Sequence, residues 1–158
     1  MISLNITTHV FPAIPVVMLR HVGPYEGLSD EFDRLWNWVT AQNVTATRTI
    51  GIYYDNPDYV ATSRLRSAAC VEVPATFQIA DAGGLPLELG KIAAGEYATL
   101  RYVGPYEDLA QVWSGMTKHI EKKMRRQISG SPAYEVYVND ASDTAPKDLI
   151  TDLYMPLL

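Results

Sequence analysis

The chain contains 158 residues, of which 47% are hydrophobic and 20% are charged, a composition typical of a globular protein with a buried core. Its formal net charge of -5 at pH 7 disfavours nucleic acid and anionic membranes as main partners, because both carry negative charge. No apolar stretch approaches the ~20 residues that span a bilayer. Cys70 is the single cysteine and cannot form an internal disulfide, and Met1 to Asn5 lack the basic start of a signal peptide, so we expect a cytoplasmic protein.

One ten-residue motif occurs twice. Leu19 to Leu28 (LRHVGPYEGL) aligns without gaps on Leu100 to Leu109 (LRYVGPYEDL) at a constant offset of 81, and eight of the ten positions are identical. Self-similarity of this kind indicates that one supersecondary unit has been duplicated.

The first copy predicts a β run, a helix and two further strands. The β run before the motif is interrupted at Phe11 to Pro15. Apolar residues at helical spacing then predict an amphipathic helix that ends near Gln42 and Asn43. Two strand-like runs, Thr49 to Tyr54 and Arg66 to Val73, complete the copy.

The second copy repeats this order after a link at 74–86 that contains turn-forming glycines. Its β run is interrupted at Ala93 to Glu96, and its amphipathic helix cannot continue past Gly130 to Pro132, since Gly and Pro terminate helices. Its two strands are predicted at Tyr134 to Asn139 and Ile150 to Leu157.

These elements predict an α+β fold in which two βαββ repeats, at about 5–73 and 87–157, form a single domain over residues 1–158 with an antiparallel sheet and two main helices. The offset between the copies rises to 83 for Tyr54 against Tyr137 and to 84 for Cys70 against Tyr154, which small loop insertions explain. Almost no residues are left over, so we expect no attached DNA-reading domain.

A carboxylate shares one face of a predicted strand with an aromatic ring. Strand alternation places Glu135 and Tyr137 on one face, and in the last strand it places Asp152 with Tyr154. A carboxylate among aromatic rings suits a lipophilic cation, because the rings offer cation–π attraction and apolar area while the carboxylate neutralises charge. The alternative is an edge-strand glutamate that points into water.

The paired Gly-Pro-Tyr-Glu turns allow a structural and a functional interpretation. We favour the structural one, because Gly and Pro suit a strand-to-helix turn and Glu26 and Glu107 suit helix N-termini. The helix aromatics Phe32, Trp36 and Trp113 are more typical of a core, although a tryptophan on a helix that faces a cleft can cover a ligand.

The remaining polar groups form no catalytic or metal-binding pattern. His9, His21 and His119 are far apart, so we predict no metal and no cofactor. Cys70 is surrounded by strand residues and is interpreted as a packing residue rather than a nucleophile. The basic run from Lys118 to Arg126 could bind nucleic acid, but cations at a helix C-terminus oppose the helix dipole, which favours a solvated helix end.

Four stretches resemble the gyrase-inhibitor-like family of ligand-sensing domains. They are the paired Val-Gly-Pro-Tyr-Glu motifs, Gly51 to Asp58, Tyr134 to Asp140 and Thr151 to Leu157, and the resemblance covers nearly the whole chain. It implies two βαββ modules, often called SHS2, arranged with pseudo-twofold symmetry around a central cleft. The chain departs from the pattern at Ala68, where relatives often carry an aspartate, whereas the second copy keeps Asp152.

The resemblance also implies a set of ligand-binding residues. The family's ligand-binding glutamate matches Glu135, and an aromatic residue near the end of the family pattern matches Tyr154. Pocket-lining aromatic side chains are expected at Tyr137, Tyr54, Trp113 and Trp36.

Three functions stay open at this point. The leading one is a binding module for hydrophobic or cationic small molecules such as drugs and toxins. The second is inhibition of DNA gyrase through a protein–protein interaction. The third is hydrolysis of cyclopropane-bearing genotoxins by a water that Glu135 activates, which we rank last because the sequence shows no second polar group for catalysis.

Overall fold

The computed structural model describes residues 5–158, so Met1 to Leu4, part of the argument against a signal peptide, lie outside the described residues. The strands in chain order are β1 Thr7–Phe11, β2 Ile14–Val22, β3 Thr49–Tyr53, β4 Arg66–Glu72, β5 Glu88–Ile92, β6 Gly95–Val103, β7 Ala133–Tyr137 and β8 Ile150–Pro156. The helices are α1 Leu28–Ala41 and α2 Leu109–Lys122. Each follows a one-turn 3₁₀ helix, and the predicted α+β class is confirmed.

The chain forms two compact units. The N-terminal unit is Ala13–Ala93, with strand order β5-β2-β4-β3 and helix α1. The C-terminal unit combines Ala94–Leu158 with the residues up to Pro12, and its strand order is β1-β6-β8-β7 with helix α2. All of these pairings are antiparallel, so each unit contains the same four-stranded arrangement and one helix.

The first strand of each sequence repeat pairs in the unit of the other repeat. The interruptions predicted in the two β runs separate β1 from β2 and β5 from β6. Strand β1 then pairs with β6, and β5 pairs with β2. The compact units divide the chain at 12/13 and 93/94, which differs from the division into sequence repeats. The repeat boundaries at about 5–73 and 87–157 stay a prediction.

The offset between the copies changes in one step. Strands β2 and β6 and the two helices differ by 81, whereas β3 and β7, and likewise β4 and β8, differ by 84. The three additional residues therefore lie in the loop that follows the helix, 123–132 in the C-terminal unit against 42–48 in the N-terminal unit.

In each unit the apolar stripe of the helix packs on one face of the sheet. In the N-terminal unit, Leu35 and Val39 of α1 pack with Ala69 and Val71 of β4. In the C-terminal unit, the corresponding cluster is Ala98, Leu100, Leu109, Val112, Met116, Ile120, Leu153 and Leu157. Burial of each large aliphatic side chain contributes ~1.5–3 kcal/mol, so these clusters hold each helix on its sheet.

The link between the repeats packs on α1. The Trp38 indole nitrogen donates a hydrogen bond of 2.6 Å to the carbonyl of Asp81, and the Phe77 ring lies edge-on to Trp38 at 6.3 Å. Neither helix within residues 5–158 has the length and apolar character required to cross a membrane.

Candidate functional site

The duplicated Gly-Pro-Tyr-Glu turns have the same backbone conformation in both units. Gly23 and Gly104 have φ values of 128° and 152°, in the region that favours glycine, and their N–H groups donate to the carbonyls of Leu65 and Leu149. The side chain before each turn bonds the proline carbonyl: the His21 Nε2 contact is 3.0 Å, and the Tyr102 hydroxyl donates over 3.1 Å. These contacts support the structural interpretation of the motif.

The tyrosine of each turn packs edge-on against a tyrosine at the end of a strand. The ring centroids of Tyr25 and Tyr53 are 4.9 Å apart in the N-terminal unit, with an angle of 71° between the ring planes. In the C-terminal unit the centroids of Tyr106 and Tyr137 are 5.7 Å apart, with an angle of 66°. The two pairs occupy equivalent positions. The turns therefore also place an aromatic ring beside each candidate site strand.

Glu135 lies at the centre of β7 and is 3% exposed, so the alternative of an edge glutamate in water is wrong. It accepts a hydrogen bond of 3.3 Å from the Tyr137 hydroxyl. The equivalent residue in the N-terminal unit is Gly51, which the pairing registers Glu135–Leu153 and Gly51–Ala69 identify. The buried carboxylate thus occurs in one of the two equivalent strands.

Tyr106 is electrostatically coupled to Glu135. Burial raises the pKa of the Tyr106 phenol, and the negative charge of Glu135 raises it further. The phenol of Tyr25 donates a hydrogen bond to the backbone carbonyl of Asp55, whereas that of Tyr106 bonds to no residue within the described range. Tyr106 was not among the site residues predicted from the sequence, although its place in the repeated motif is a signal that could have identified it.

Tyr154 does not share the face of Glu135. Directly opposed residues of an antiparallel pair point to the same side of the sheet, and Glu135 is opposed to Leu153 while Tyr154 is opposed to Tyr134. The Tyr134 and Tyr154 rings are stacked, with centroids 4.5 Å apart and planes 5° apart. Glu135 and Tyr154, which the resemblance assigns to one ligand site, therefore point to opposite faces of the sheet.

Tyr54 was aligned with Tyr137, and this alignment is also wrong. Because the offset for β3 and β7 is 84, the equivalent of Tyr137 is Tyr53. Tyr54 lies just beyond the end of β3. The guanidinium carbons of Arg20 and Arg66 each lie 5.9 Å from the centre of its ring.

The two tryptophans of the predicted site differ in burial. Trp113 of α2 is partly buried and packs against the core cluster that contains Leu153. Leu153 is directly opposed to Glu135, so the two side chains lie on the same face of the sheet. Trp36 of α1 is 37% exposed and is not part of the core cluster of its unit. Trp113 is thus the predicted tryptophan that lies on the same side as Glu135.

A buried hydroxyl also lies on the face of Glu135. Thr151 is opposed to Tyr137 in the sheet, it is 0% exposed, and its hydroxyl has no hydrogen-bond partner among the described residues. Its equivalent Ser67 has the same properties. The hydroxyl is thus a feature of both copies, unlike the carboxylate.

The other face of the C-terminal unit has an open depression of about 270 Å³, with lining residues that include Phe11 and Tyr154. Its charged groups are already paired, because Arg101 Nε lies 2.8 Å from a carboxylate oxygen of Asp152. The two charged side chains of this depression therefore neutralise each other.

The site offers neither a metal set nor a reactive thiol. Within residues 5–158, no three His, Cys, Asp or Glu side chains are grouped so as to hold a metal ion. Cys70 is fully buried, and burial raises the pKa of its thiol far above the usual range.

The chain is similar in sequence and in fold to known proteins. A protein of Citrobacter koseri named DNA gyrase inhibitor is 33% identical over 137 residues, which are 86% of each chain. The solved C-terminal domain of EcmrR matches with a TM-score of 0.83 at 15% identity and covers 99% of both chains. The structure of SAV2435 bound to tetraphenylphosphonium matches with a TM-score of 0.66 at 13% identity, over 98% of this chain and 94% of that one.

The family is defined by the sequence match rather than by these structural likenesses. The model of the GyrI-like small molecule binding domain matches residues 5–158, which include both repeats and every residue of the candidate site. The chain belongs to the GyrI-like small molecule binding domain family.

Proposed function

We propose that the chain binds small hydrophobic cations beside Glu135 of the C-terminal unit. The observation that carries this proposal is the burial of a carboxylate, 3% exposed, next to two tyrosine rings. Tyr137 donates a hydrogen bond to it, and Tyr106 packs edge-on against Tyr137. Trp113 offers a further apolar surface on the same side of the sheet.

The physical basis is the combination of low dielectric and aromatic surface. A carboxylate in poorly hydrated surroundings attracts a cation more strongly than one in water, because the Coulomb energy scales inversely with the dielectric constant. Each aromatic face adds about 0.5–2 kcal/mol of cation–π attraction, depending on desolvation. A ligand with delocalised charge and a large apolar area gains from both effects and loses little hydration.

The comparisons support this choice of ligand class. SAV2435, which shares the fold, was solved with tetraphenylphosphonium, a hydrophobic cation. The identity to that protein is 13%, so the ligand is a probe for this chain rather than an inherited substrate.

The test is a calorimetric titration of the wild type and of Glu135→Gln with tetraphenylphosphonium. The substitution keeps the shape of the side chain and removes its charge. We expect the affinity to fall by at least about tenfold, which corresponds to ~1.4 kcal/mol. Glu121→Gln, at an exposed position of the same unit, is the matched control and should retain the wild-type affinity.

Mass analysis of the recovered ligand separates binding from catalysis. Unchanged tetraphenylphosphonium together with an affinity that depends on Glu135 supports binding. Equal affinities in the wild type and Glu135→Gln would remove Glu135 from the site. The same mass analysis with a cyclopropane-bearing genotoxin would detect a hydrated product if Glu135 supports hydrolysis.

A second candidate function is inhibition of DNA gyrase through a protein–protein contact. Its support is the name of the relatives at about 30% identity, of which the chain covers 85% to 86% of the length. A supercoiling assay with purified gyrase tests it. Inhibition that persists in Glu135→Gln would assign the contact to a surface other than the cation site, and no inhibition at any tested concentration would argue against this candidate.

A further inference from the structure

The charge of the chain is segregated along the sequence. Residues 118–126 contain five Lys and Arg residues and one Glu, so this segment has a formal charge of +4. Because the whole chain has a charge of -5, the remaining residues together carry -9. A positive patch on an otherwise acidic protein creates a local potential that is opposite to the overall one.

Four of these cations, which we call the basic patch, lie within one short segment at the end of α2: Lys118, Lys122, Lys123 and Arg125. All four are exposed, and none makes an ion pair with any of the residues from 5 to 158. Most arginines elsewhere in the described chain are paired with a carboxylate, as Arg48 is with Glu72.

Stabilisation of the helix dipole explains only part of the basic patch. The dipole effect falls off within the last turn of a helix. Lys118 lies a full turn before the end of α2 at Lys122, and Arg125 lies beyond it. The helix dipole therefore does not account for these two positions.

Arg125 occupies a backbone conformation that disfavours it. Its φ is 54°, and the residue with the corresponding conformation after α1 is Asn43, with φ 51°. Helices commonly end on a left-handed residue of this kind, which is usually Gly and sometimes Asn. The C-terminal unit thus has a charged side chain where its own backbone favours a smaller one, and strain retained in this way is a pointer to function.

The basic patch lies on an ordered backbone. The Arg126 guanidinium bonds Glu96 at 2.5 Å, and the backbone N–H of Arg126 donates to the carbonyl of Ile120 over 3.0 Å. Met124 and Ile128 pack against the core cluster of the C-terminal unit. Association therefore requires ordering of the exposed lysine and arginine side chains but not of the backbone that carries them.

We infer that the basic patch is a docking surface for a short acidic segment of a partner protein. The charge elsewhere on the chain favours this occupant over nucleic acid, because a long polyanion extends past the patch and is repelled by the net charge of -9 on the remaining residues. A short run of Asp and Glu matches the patch without that repulsion. Contacts of this type accelerate and orient association more than they increase final affinity.

The test is an NMR titration of the ¹⁵N-labelled protein with a capped oligoglutamate peptide of about ten residues at low salt, where the Debye length is long. We expect amide shifts that are concentrated at residues 118–126 and an affinity that falls by at least about tenfold on addition of physiological salt. The charge-reversal pair Lys118→Glu and Lys122→Glu should abolish these shifts.

Two further proteins control for net charge and for folding. Lys91→Glu with Lys147→Glu makes the same change in net charge at two exposed lysines that make no ion pair in the described structure, and it should bind the peptide like the wild type. Arg125→Asn adopts the solution that the N-terminal unit already uses, so it should fold at least as stably while it weakens peptide binding.

Three outcomes would overturn the inference. One is the absence of shifts at residues 118–126, and another is equal loss of binding in both double variants, which would make net charge rather than position responsible. The third is tighter binding, under the same conditions, of a DNA duplex of about the same charge, which would assign the basic patch to nucleic acid.

Discussion

The duplicated turns provide an internal control for a substitution at glycine. Gly104→Ala and Gly23→Ala place a Cβ on equivalent backbones with φ of 152° and 128°, and this conformation is strained for alanine by ~1–3 kcal/mol. The smaller entropy of the unfolded alanine chain offsets about 0.4–1 kcal/mol of that strain. The two variants differ in their neighbours: a Cβ at Gly104 would lie 2.5 Å from the Tyr102 hydroxyl oxygen, whereas the nearest atom to a Cβ at Gly23 is His21 Nε2 at 3.7 Å.

Tyr102 must therefore move in Gly104→Ala and lose its hydrogen bond to the Pro105 carbonyl, a further ~0.5–1.5 kcal/mol. We expect the free energy of unfolding, measured by urea titration, to fall by about 1 kcal/mol more in Gly104→Ala than in Gly23→Ala. The turn also positions Tyr106 beside Tyr137, so Gly104→Ala should weaken binding of tetraphenylphosphonium. Equal losses of stability in the two variants, or a larger loss in Gly23→Ala, would refute the assignment of the extra cost to Tyr102.

Three further predictions concern individual side chains. The hydrogen bonds from Arg48 lower the pKa of Glu72 in the folded protein. The ion pair therefore stabilises the fold above the ordinary carboxyl pKa, and this contribution is lost as the pH falls through the lowered pKa of Glu72. Urea titrations from pH 7 to about pH 3 should show a smaller loss of stability in Arg48→Met than in the wild type. Cys70 should react with a thiol reagent only when the protein is unfolded, which a time course with and without urea measures. Tyr25→Phe removes a hydrogen bond to a backbone carbonyl and should lower stability by about 1 kcal/mol, whereas Tyr106→Phe, at a phenol with no such bond among the described residues, should leave stability nearly unchanged in the same urea assay.

The sequence predicted the elements well because their signals are local. The helix after each motif and the strands that begin at Thr49, Arg66 and Ile150 are found where the periodicity places them. The partner of each first strand was not predicted, because no local pattern distinguishes a β1 that pairs with β2 from a β1 that pairs with β6. The pairing of β1 with β6, and of β5 with β2, is set by tertiary packing between strands that are far apart in sequence.

The candidate site was predicted less completely because the face of a strand residue depends on register. Glu135 and Tyr137 were placed on one face by alternation within their own strand, and the structure has them there. The face of Tyr154 required the pairing of two strands, and an error of one residue in register moves a side chain to the opposite side. The same one-residue error, an offset of 83 instead of 84, selected Tyr54 in place of Tyr53.

The duplication helps to separate residues that serve the fold from residues that serve another purpose. Both units need the same turn, so a residue present in both copies is explained by the backbone that they share. Glu135 stands at the position of Gly51, where the other copy of that backbone accepts the smaller residue. Arg125 has the left-handed conformation that Asn43 adopts in the shorter loop after α1. A buried carboxylate and a strained arginine both carry a free-energy cost that folding does not require. The functional proposals therefore rest first on residues that differ between the copies, Glu135 and the cations of the basic patch, with Tyr106 of the repeated turn beside Glu135.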